Sequence, residues 1–327
     1  MFLKKERDAS SIITNMRMML VTPALLCFYL LTFSNLTSIL FALDEPQWWK
    51  IYWINSSLLE IKGLLDKPLY RILQKDPALI DVLKEALQDT LRECSRQSII
   101  HHWRCNVDGA PRKTLFSNVA SFASKEFAYF LALSSAAAVR AIAHACARGR
   151  LRSCSCDPAR IGPVHADQRD TWARCSVDRG SDNLRYAIKL SKRLIDRQFA
   201  CSYSDRVAQI YLHNIAVGRS VNAYICKFYD ERVALHIKCY CVSAFGSCRR
   251  RYCEAKVVPF EMTGDAIMES LLRSRRIRRS NSLPTSRVTC LRPRNERNMR
   301  RKVVPLWFID TRNWIMRNGK SRRRLKT

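Results

Sequence analysis

The sequence predicts an α+β protein with a mainly helical N-terminal domain, a disulfide-pinned β-hairpin and a basic, loosely ordered tail. Apolar residues recur at helical spacing through the first two thirds of the chain, and a strand-like alternation then leads into four closely spaced cysteines. Positive charge accumulates towards the C-terminus. We assign residues 1–42 to a signal peptide, 43–225 to the helical domain, 226–260 to the hairpin and 261–327 to the tail.

Four segments carry the helical pattern. Asp76 and the proline after it predict a helix start, and apolar residues keep helical spacing from there to about Cys94. Residues 125–148 are apolar on nearly every side, but an arginine and a histidine among them favour a buried core helix over a membrane span. Two further helices are predicted, one with Ser181 as its N-cap and a short one over about residues 206–212.

The N-terminus indicates secretion. A basic lead is followed by an apolar stretch over residues 19–33 and a small residue, Ala42, which together are typical of a signal peptide. The alternative is a membrane anchor, which Pro23 and Asn35 disfavour. Asn55 begins an Asn-Ser-Ser sequon and is the predicted glycosylation site of the mature chain.

Fourteen cysteines make disulfides or a metal the first chemical question. Cys239, Cys241, Cys248 and Cys253 fit two nested disulfides across a hairpin, and their four thiolates also suit zinc. In a secreted chain the disulfides are favoured. Cleavage of the signal peptide would leave thirteen cysteines, so at least one is free or pairs between chains.

The net charge of +29 predicts a polyanionic partner: nucleic acid, anionic lipid or sulfated glycan. Residues 249–327 hold 23 Lys/Arg against six Asp/Glu. In a secreted protein the matching polyanion is heparan sulfate, and we predict that a run of five arginines binds it. The same run is also a candidate for protease processing. The alternative is a solvated basic tail. The run comprises Arg273, Arg275, Arg276, Arg278 and Arg279.

The sequence predicts no enzyme. It contains no HExxH, no GxSxG and no phosphate-binding glycine loop. The six histidines are scattered, and His213 suits a capping or core role better than catalysis. We therefore expect no catalytic residues, no cofactor and no metal site.

Five stretches resemble motifs of one known family, in the family's order. They are Arg92-Glu-Cys94 with His102-Trp-Arg-Cys105; Glu126 to Ala136 followed by Cys146 and Cys154-Ser-Cys156-Asp157; Ser181-Asp182-Asn183; Leu212-His213-Asn214 with Gly218-Arg219; and Cys239 to Cys253. They resemble REC…RRWNC, RETAFIFAITSAG…CTCD, SDNI, LHNNEAGR and CKCHGxSGSCxxxTC. Over about residues 45–260 the chain thus resembles the Wnt family of secreted signalling proteins.

The resemblance implies a function for several residues. It implies disulfides for Cys94–Cys105, Cys146–Cys154, Cys156–Cys175, Cys239–Cys253 and Cys241–Cys248. It places the hairpin tip, Val242, Ser243, Ala244, Phe245, Gly246 and Ser247, in the cysteine-rich domain of a Frizzled receptor. An LDL-receptor-related co-receptor would face the helical domain, and secretory acylation and carrier machinery would act on the chain. The expected setting is developmental signalling in the extracellular space and matrix, without nucleic acid.

The chain also departs from the family pattern. Phe245 occupies the position of the acylated serine, with Ser243 and Ser247 beside it as weak alternatives. Glu254 replaces a tryptophan, Gly180 replaces a cysteine, and Cys175 must serve from a shifted position. The family's C-terminal cysteine-rich subdomain is expected to be missing. Two other hypotheses therefore stay open: a non-activating decoy, and a basic nucleic-acid-binding protein with a zinc-bound hairpin.

Overall fold

The computed structural model describes a helical core with two small β-sheets on it. Every described residue belongs to one compact unit, Pro46–Thr327. The described residues are 46–54, 61–101, 105, 115, 124–164, 170–176, 180–200, 206–228, 236–241, 248, 250–276 and 304–308.

The elements follow one another in this order. A 3₁₀ helix over Gln47–Trp53 precedes α1 (Lys67–Lys75), α2 (Ala78–His101), α3 (Lys125–Ala147), β1 (Asp170–Trp172) and α4 (Leu184–Ser191). A π-helical turn, Lys192–Asp196, joins α4 to α5 (Arg197–Ala200). The chain continues with α6 (Arg206–Phe228), β2 (His236–Cys241), β3 (Arg251–Lys256), α7 (Phe260–Leu272), β4 (Arg275–Arg276) and β5 (Trp307–Phe308).

Helix α3 is the centre of the core and contacts α2, α4, α6 and α7. Its N-cap is Ser124, whose hydroxyl accepts a hydrogen bond from Phe127 N at 3.1 Å. Within the described residues it is the one helix long and apolar enough to cross a membrane, and 89% of its most apolar 18-residue window is buried inside the protein. A helix buried to this extent is a core helix, as its sequence predicts.

Helices α3 and α6 approach so closely that only small residues fit between them. A Cβ at Gly218 would overlap the carbonyl oxygen of Ala132. The hydroxyl of Ser135 donates to the carbonyl of Ile215 at 2.9 Å across the same contact. One turn further, the buried Arg219 donates two hydrogen bonds to Asp196, at 2.6 and 2.7 Å. This buried pair ties α6 to the π-helical turn.

The structure confirms a mainly helical protein but corrects several boundaries. The N-cap of α4 is Asn183 rather than Ser181, because the side chain of Asn183 accepts from Tyr186 N at 3.0 Å. The predicted helix over residues 206–212 continues to Phe228. The helix predicted to end near Cys94 extends to His101.

The first part of the predicted loose tail is also ordered. Helix α7 buries Phe260, Ile267 and Leu271, so the region from residue 261 begins as part of the core. The many charged residues after this helix favour a disordered tail, so its short apolar face was not predicted as a helix. A further segment, residues 304–308, packs back on the core through Leu306. The rest of the tail lies outside the described residues.

Candidate functional site

The predicted hairpin has a base that is cross-linked twice. In the antiparallel pair of β2 and β3, Cys239 lies opposite Cys253 and is bonded to it, with a Cα–Cα distance of 4.0 Å. A second disulfide joins Cys241 to Cys248 at a Cα–Cα distance of 5.3 Å. These bonds set the strand register, because a one-residue slip would turn the sulfurs to opposite faces. The tip itself, Val242 to Ser247 with Ser243, Phe245 and Ser247, lies outside the described residues.

Strand β1 holds the end of the hairpin that is nearest to the tip. It pairs in parallel with β3, which is the middle strand of the three-stranded sheet. Both carboxylate oxygens of the buried Asp170 accept hydrogen bonds from the guanidinium of Arg251, at 2.6 and 2.7 Å. A bidentate pair of this kind restricts both position and orientation. The start of β3 is therefore held at a fixed place beside the tip.

The motif Ser181-Asp182-Asn183 docks the other end of the hairpin. The hydroxyl of Ser181 accepts from Ala255 N at 3.0 Å, and Asp182 N donates to the carbonyl of Ala255 at 2.8 Å. The carboxylate of Asp182 accepts from Val257 N at 2.8 Å. The motif that predicts a helix start thus also bonds β3 to the helical core, which the sequence pattern did not reveal.

Two departures from the family pattern lie in contact with each other. The backbone N–H of Gly180 donates to the carboxylate of Glu254 at 3.0 Å, and Lys256 lies 3.2 Å from the same carboxylate. Gly180 has φ 131°, and a Cβ there would lie 2.7 Å from the Cβ of Cys156. Cys156 is bonded to Cys175, the shifted partner. Gly180, Cys175 and Glu254 therefore fit together: the glycine leaves room for the Cys156–Cys175 disulfide, and its N–H binds the glutamate.

The same five cysteine pairs that the resemblance implies are bonded in the structure. Besides the two hairpin bonds and Cys156–Cys175, these are Cys94–Cys105 and Cys146–Cys154. The sulfurs of Cys239 and Cys253 also lie near Asp170 in a group of metal-ligand type. Zinc requires thiolates, and sulfurs joined in a disulfide cannot supply them. The bonded sulfurs therefore disfavour the zinc-bound hairpin.

The hairpin presents two tyrosines to solvent. Tyr240 and Tyr252 are register partners on the same face of the sheet and are 53% and 46% exposed. The strand that carries Tyr240 is an edge strand. Aromatic residues are enriched in binding interfaces, so this exposed pair extends the candidate surface from the tip onto the adjoining end of the two strands.

The C-terminal clamp, residues 304–308 held by His213 and Asn214, is a second organised region. The amide of Asn214 donates to the carbonyl of Trp307 and accepts from its N–H, both at 2.9 Å. The ring of His213 stacks on Trp307 with centroids 3.7 Å apart, and its Nε2 donates to the carbonyl of Pro305 at 2.9 Å. Burial lowers the pKa of His213. This histidine is therefore structural, as its sequence context predicts.

The basic run lies partly within the described residues. Arg273, Arg275 and Arg276 are exposed, and Arg273 forms a surface ion pair with Glu269 at 2.6 Å. The remaining two arginines of the run, Arg278 and Arg279, and the predicted glycosylation site Asn55 lie outside the described residues.

Comparison with known proteins assigns the family. The model of the "wnt family" matches residues 61–321, which is more than half of the chain. The chain belongs to the Wnt family. Protein Wnt-2b of Homo sapiens is 31% identical over 224 residues, covering 68% of this chain and 53% of that protein. Protein Wnt-2b-A of Xenopus laevis is 30% identical over 224 residues, covering 68% and 59%. This Wnt-family chain thus spans less than two thirds of these relatives.

Two solved structures are also similar to this Wnt-family chain. The Drosophila WntD N-terminal domain-linker has a TM-score of 0.46 at 17% identity, covering 71% of this chain and 95% of that chain. A chain of the structure described as human WLS in complex with WNT8A has a TM-score of 0.41 at 21% identity, covering 71% and 66%.

Proposed function

We propose that this protein is a secreted Wnt-like ligand that binds a Frizzled receptor and a co-receptor to trigger Wnt signalling in development. The observation that carries the proposal is the anchored hairpin in a chain of the Wnt family. Two disulfides close the hairpin, and Asp170, Ser181 and Asp182 bond it to the rest of the molecule. A loop held this way loses little conformational entropy on binding, which favours affinity.

The remaining parts of the molecule have proposed partners of their own. The tip, Val242–Ser247, would enter the cysteine-rich domain of Frizzled, and the helical core would face an LDL-receptor-related co-receptor. Secretory acylation and carrier machinery would handle the chain on its way out of the cell. The arginine run would retain the secreted protein on heparan sulfate through released counterions.

A binding measurement tests the receptor proposal. Full-length protein from culture medium is passed over an immobilised Frizzled cysteine-rich domain at raised salt, so that nonspecific attraction by the +29 charge is suppressed. We expect saturable binding, weakened about tenfold by the double variant Tyr240→Ala/Tyr252→Ala, as for exposed aromatic interface residues. The control Leu272→Ala removes an exposed apolar side chain away from the hairpin. Equal effects of the two variants would contradict the proposal.

Peptide mass tests the acylation step. Trypsin releases Cys239–Arg249, which is weighed after reduction. An added mono-unsaturated acyl mass on Ser243 or Ser247 would support modification beside the family position. A bare peptide from well-secreted protein would contradict it.

A non-activating decoy is the second candidate, and Phe245 is the observation that favours it. A phenyl ring cannot carry an ester-linked acyl chain, so the receptor affinity that the lipid contributes would be lost or reduced. A receptor reporter separates the two candidates: activation by purified protein contradicts the decoy, whereas blocked activation by another ligand supports it.

Heparin chromatography tests the arginine run. Replacing Arg273, Arg275, Arg276, Arg278 and Arg279 with serine should lower the salt concentration of elution. A matched control replaces five exposed basic residues elsewhere: Arg92, Arg148, Arg152, Arg185 and Lys189. If both variants elute alike, the chain binds by overall charge and the run is not a site.

A further inference from the structure

Three pairs of adjacent basic residues occur in the described part of the chain, and they differ in backbone environment. Lys192-Arg193 lies inside the helical run from α4 to α5. In Arg250-Arg251, the second arginine belongs to the middle strand of a sheet and is held by Asp170. Arg275-Arg276, whose side chains are also exposed, lies in the two-residue strand β4, which pairs with the two-residue strand β5 and is not in the middle of a sheet.

We propose that Arg273-Ser274-Arg275-Arg276 is a processing site for an endoprotease that recognises paired arginines, and that it is cut after Arg276. The motif places guanidinium groups at the first, second and fourth positions before the bond, where a protease with acidic subsites would bind them. Water adds across the amide: the C–N bond breaks, Arg276 gains a carboxylate and Ile277 gains a free amine. No oxidation or reduction is involved.

The structure makes this segment accessible. Proteases bind their substrates as extended strands, and Arg275 and Arg276 already have that conformation. Arg273 is the C-cap of α7 and must unwind, but the last helical residue, Leu272, is 66% exposed and loses little burial. The ion pair between Arg273 and Glu269 is exposed at both partners and opposes the opening weakly. The hydrogen bond from Arg275 N to Leu306 O at 2.7 Å should make cleavage slower than in a free peptide.

The C-terminal clamp would retain the severed piece. Residues 277–327 carry 16 Lys/Arg and two Asp/Glu, a net charge of +14. After cleavage this piece would stay attached through the fully buried Leu306 and the two Asn214 hydrogen bonds to Trp307. Processing would thus turn a covalent attachment of the basic segment into a reversible one. Its effect on glycan retention rests on the proposed function, whereas the cut itself does not.

Digestion of the folded protein tests the site. Purified full-length protein is treated with a subtilisin-like endoprotease specific for paired basic residues, and the new N-terminus is identified by mass spectrometry. We expect a first cut that creates Ile277, no such cut in Arg276→Ala, and unchanged cutting in the control Arg193→Ala. The proposal is overturned if the first cut falls elsewhere, or if the protein stays intact while a peptide of residues 270–282 is fully cut.

Size-exclusion chromatography of the cut protein tests the clamp. We expect the two pieces to elute together in native buffer and to separate in urea without reductant. The variant Asn214→Ala, once cut, should lose the smaller piece without denaturant. Spontaneous separation in the wild type overturns retention by the clamp, and so does a disulfide between the pieces on a non-reducing gel. Neither experiment uses a receptor or a glycan, so failure here is distinct from failure of the proposed function.

Discussion

The hairpin and the C-terminal clamp both add strands to the same helical core, but they are held by different means. The hairpin has two disulfides of its own, and its docking hydrogen bonds come in addition. Residues 304–308 contain no cysteine. They are held by the buried Leu306, by the side chains of Asn214 and His213, and by backbone hydrogen bonds of Leu306 to Ser270 and Arg275. A covalently closed hairpin keeps its register even while its docking opens. The clamp has no covalent cross-link among the described residues, so its position on the core depends on each of its noncovalent contacts.

The largest expected effect is loss of the hairpin disulfide. The double variant Cys239→Ala/Cys253→Ala should destabilise the protein by about 2–5 kcal/mol, because the unfolded chain is released from a closed loop. The urea midpoint of secreted protein measures this change. Changing both cysteines avoids a stray thiol. An unchanged midpoint would show that the docking hydrogen bonds and the Cys241–Cys248 disulfide hold the hairpin without the Cys239–Cys253 bond.

Leu306→Ala should act more locally. A cavity at a fully buried leucine costs about 2–5 kcal/mol, but the clamp can open before the rest unfolds. We expect the Leu306 and Trp307 amides to lose hydrogen-exchange protection while the amides of β2 and β3 keep theirs. The global unfolding midpoint should shift less than in the disulfide variant. A shift as large as that of the disulfide variant would mean that the clamp belongs to the cooperative core.

A matched pair of variants compares the two docking arrangements directly. Asn214→Ala leaves the N–H and carbonyl of Trp307 without their side-chain partner, and Asp182→Ala does the same to the N–H of Val257. Each change should cost about 1–3 kcal/mol. Hydrogen exchange should rise at the clamp for the first variant and at the hairpin for the second. Exchange rising in both regions for either variant would show that the two dockings are coupled.

The smallest expected effect is a pH dependence of the clamp. Burial lowers the pKa of His213 below its ordinary value of about 6.5, so below that pH the unfolded or open chain binds a proton more readily than the closed clamp. Clamp stability should therefore be complete above that pH and decline as the pH falls through it. The Trp307 amide, followed by hydrogen exchange between pH 8 and pH 5, measures this. His213→Phe keeps a ring and removes the titration, so an equal decline in that variant would assign the effect to another group.

Prediction succeeded where local spacing carries the information. The strongest apolar run is helix α3 to within one residue at its C-terminal end, and the bonded cysteine pairs are those that the family resemblance implies. It failed where a short apolar face is followed by many arginines, as in α7, and where a helix continues beyond the predicted segment, as in α6. In both cases the deciding partner lies far away in sequence.

By itself the sequence determined the helical class, the family motifs and which cysteines are available to pair, because periodicity, caps and spacing are local properties of the chain. Only the tertiary structure decided what those motifs hold. Ser181 and Asp182 bond the hairpin from 73 or more residues away, and Asn214 holds Trp307 across 93 residues. Such bonds form only after the core has brought the segments together, since the entropy of closing long loops must first be offset by burial. That is why the clamp and the mutual contact of Gly180 and Glu254 appear in the fold and not in the pattern.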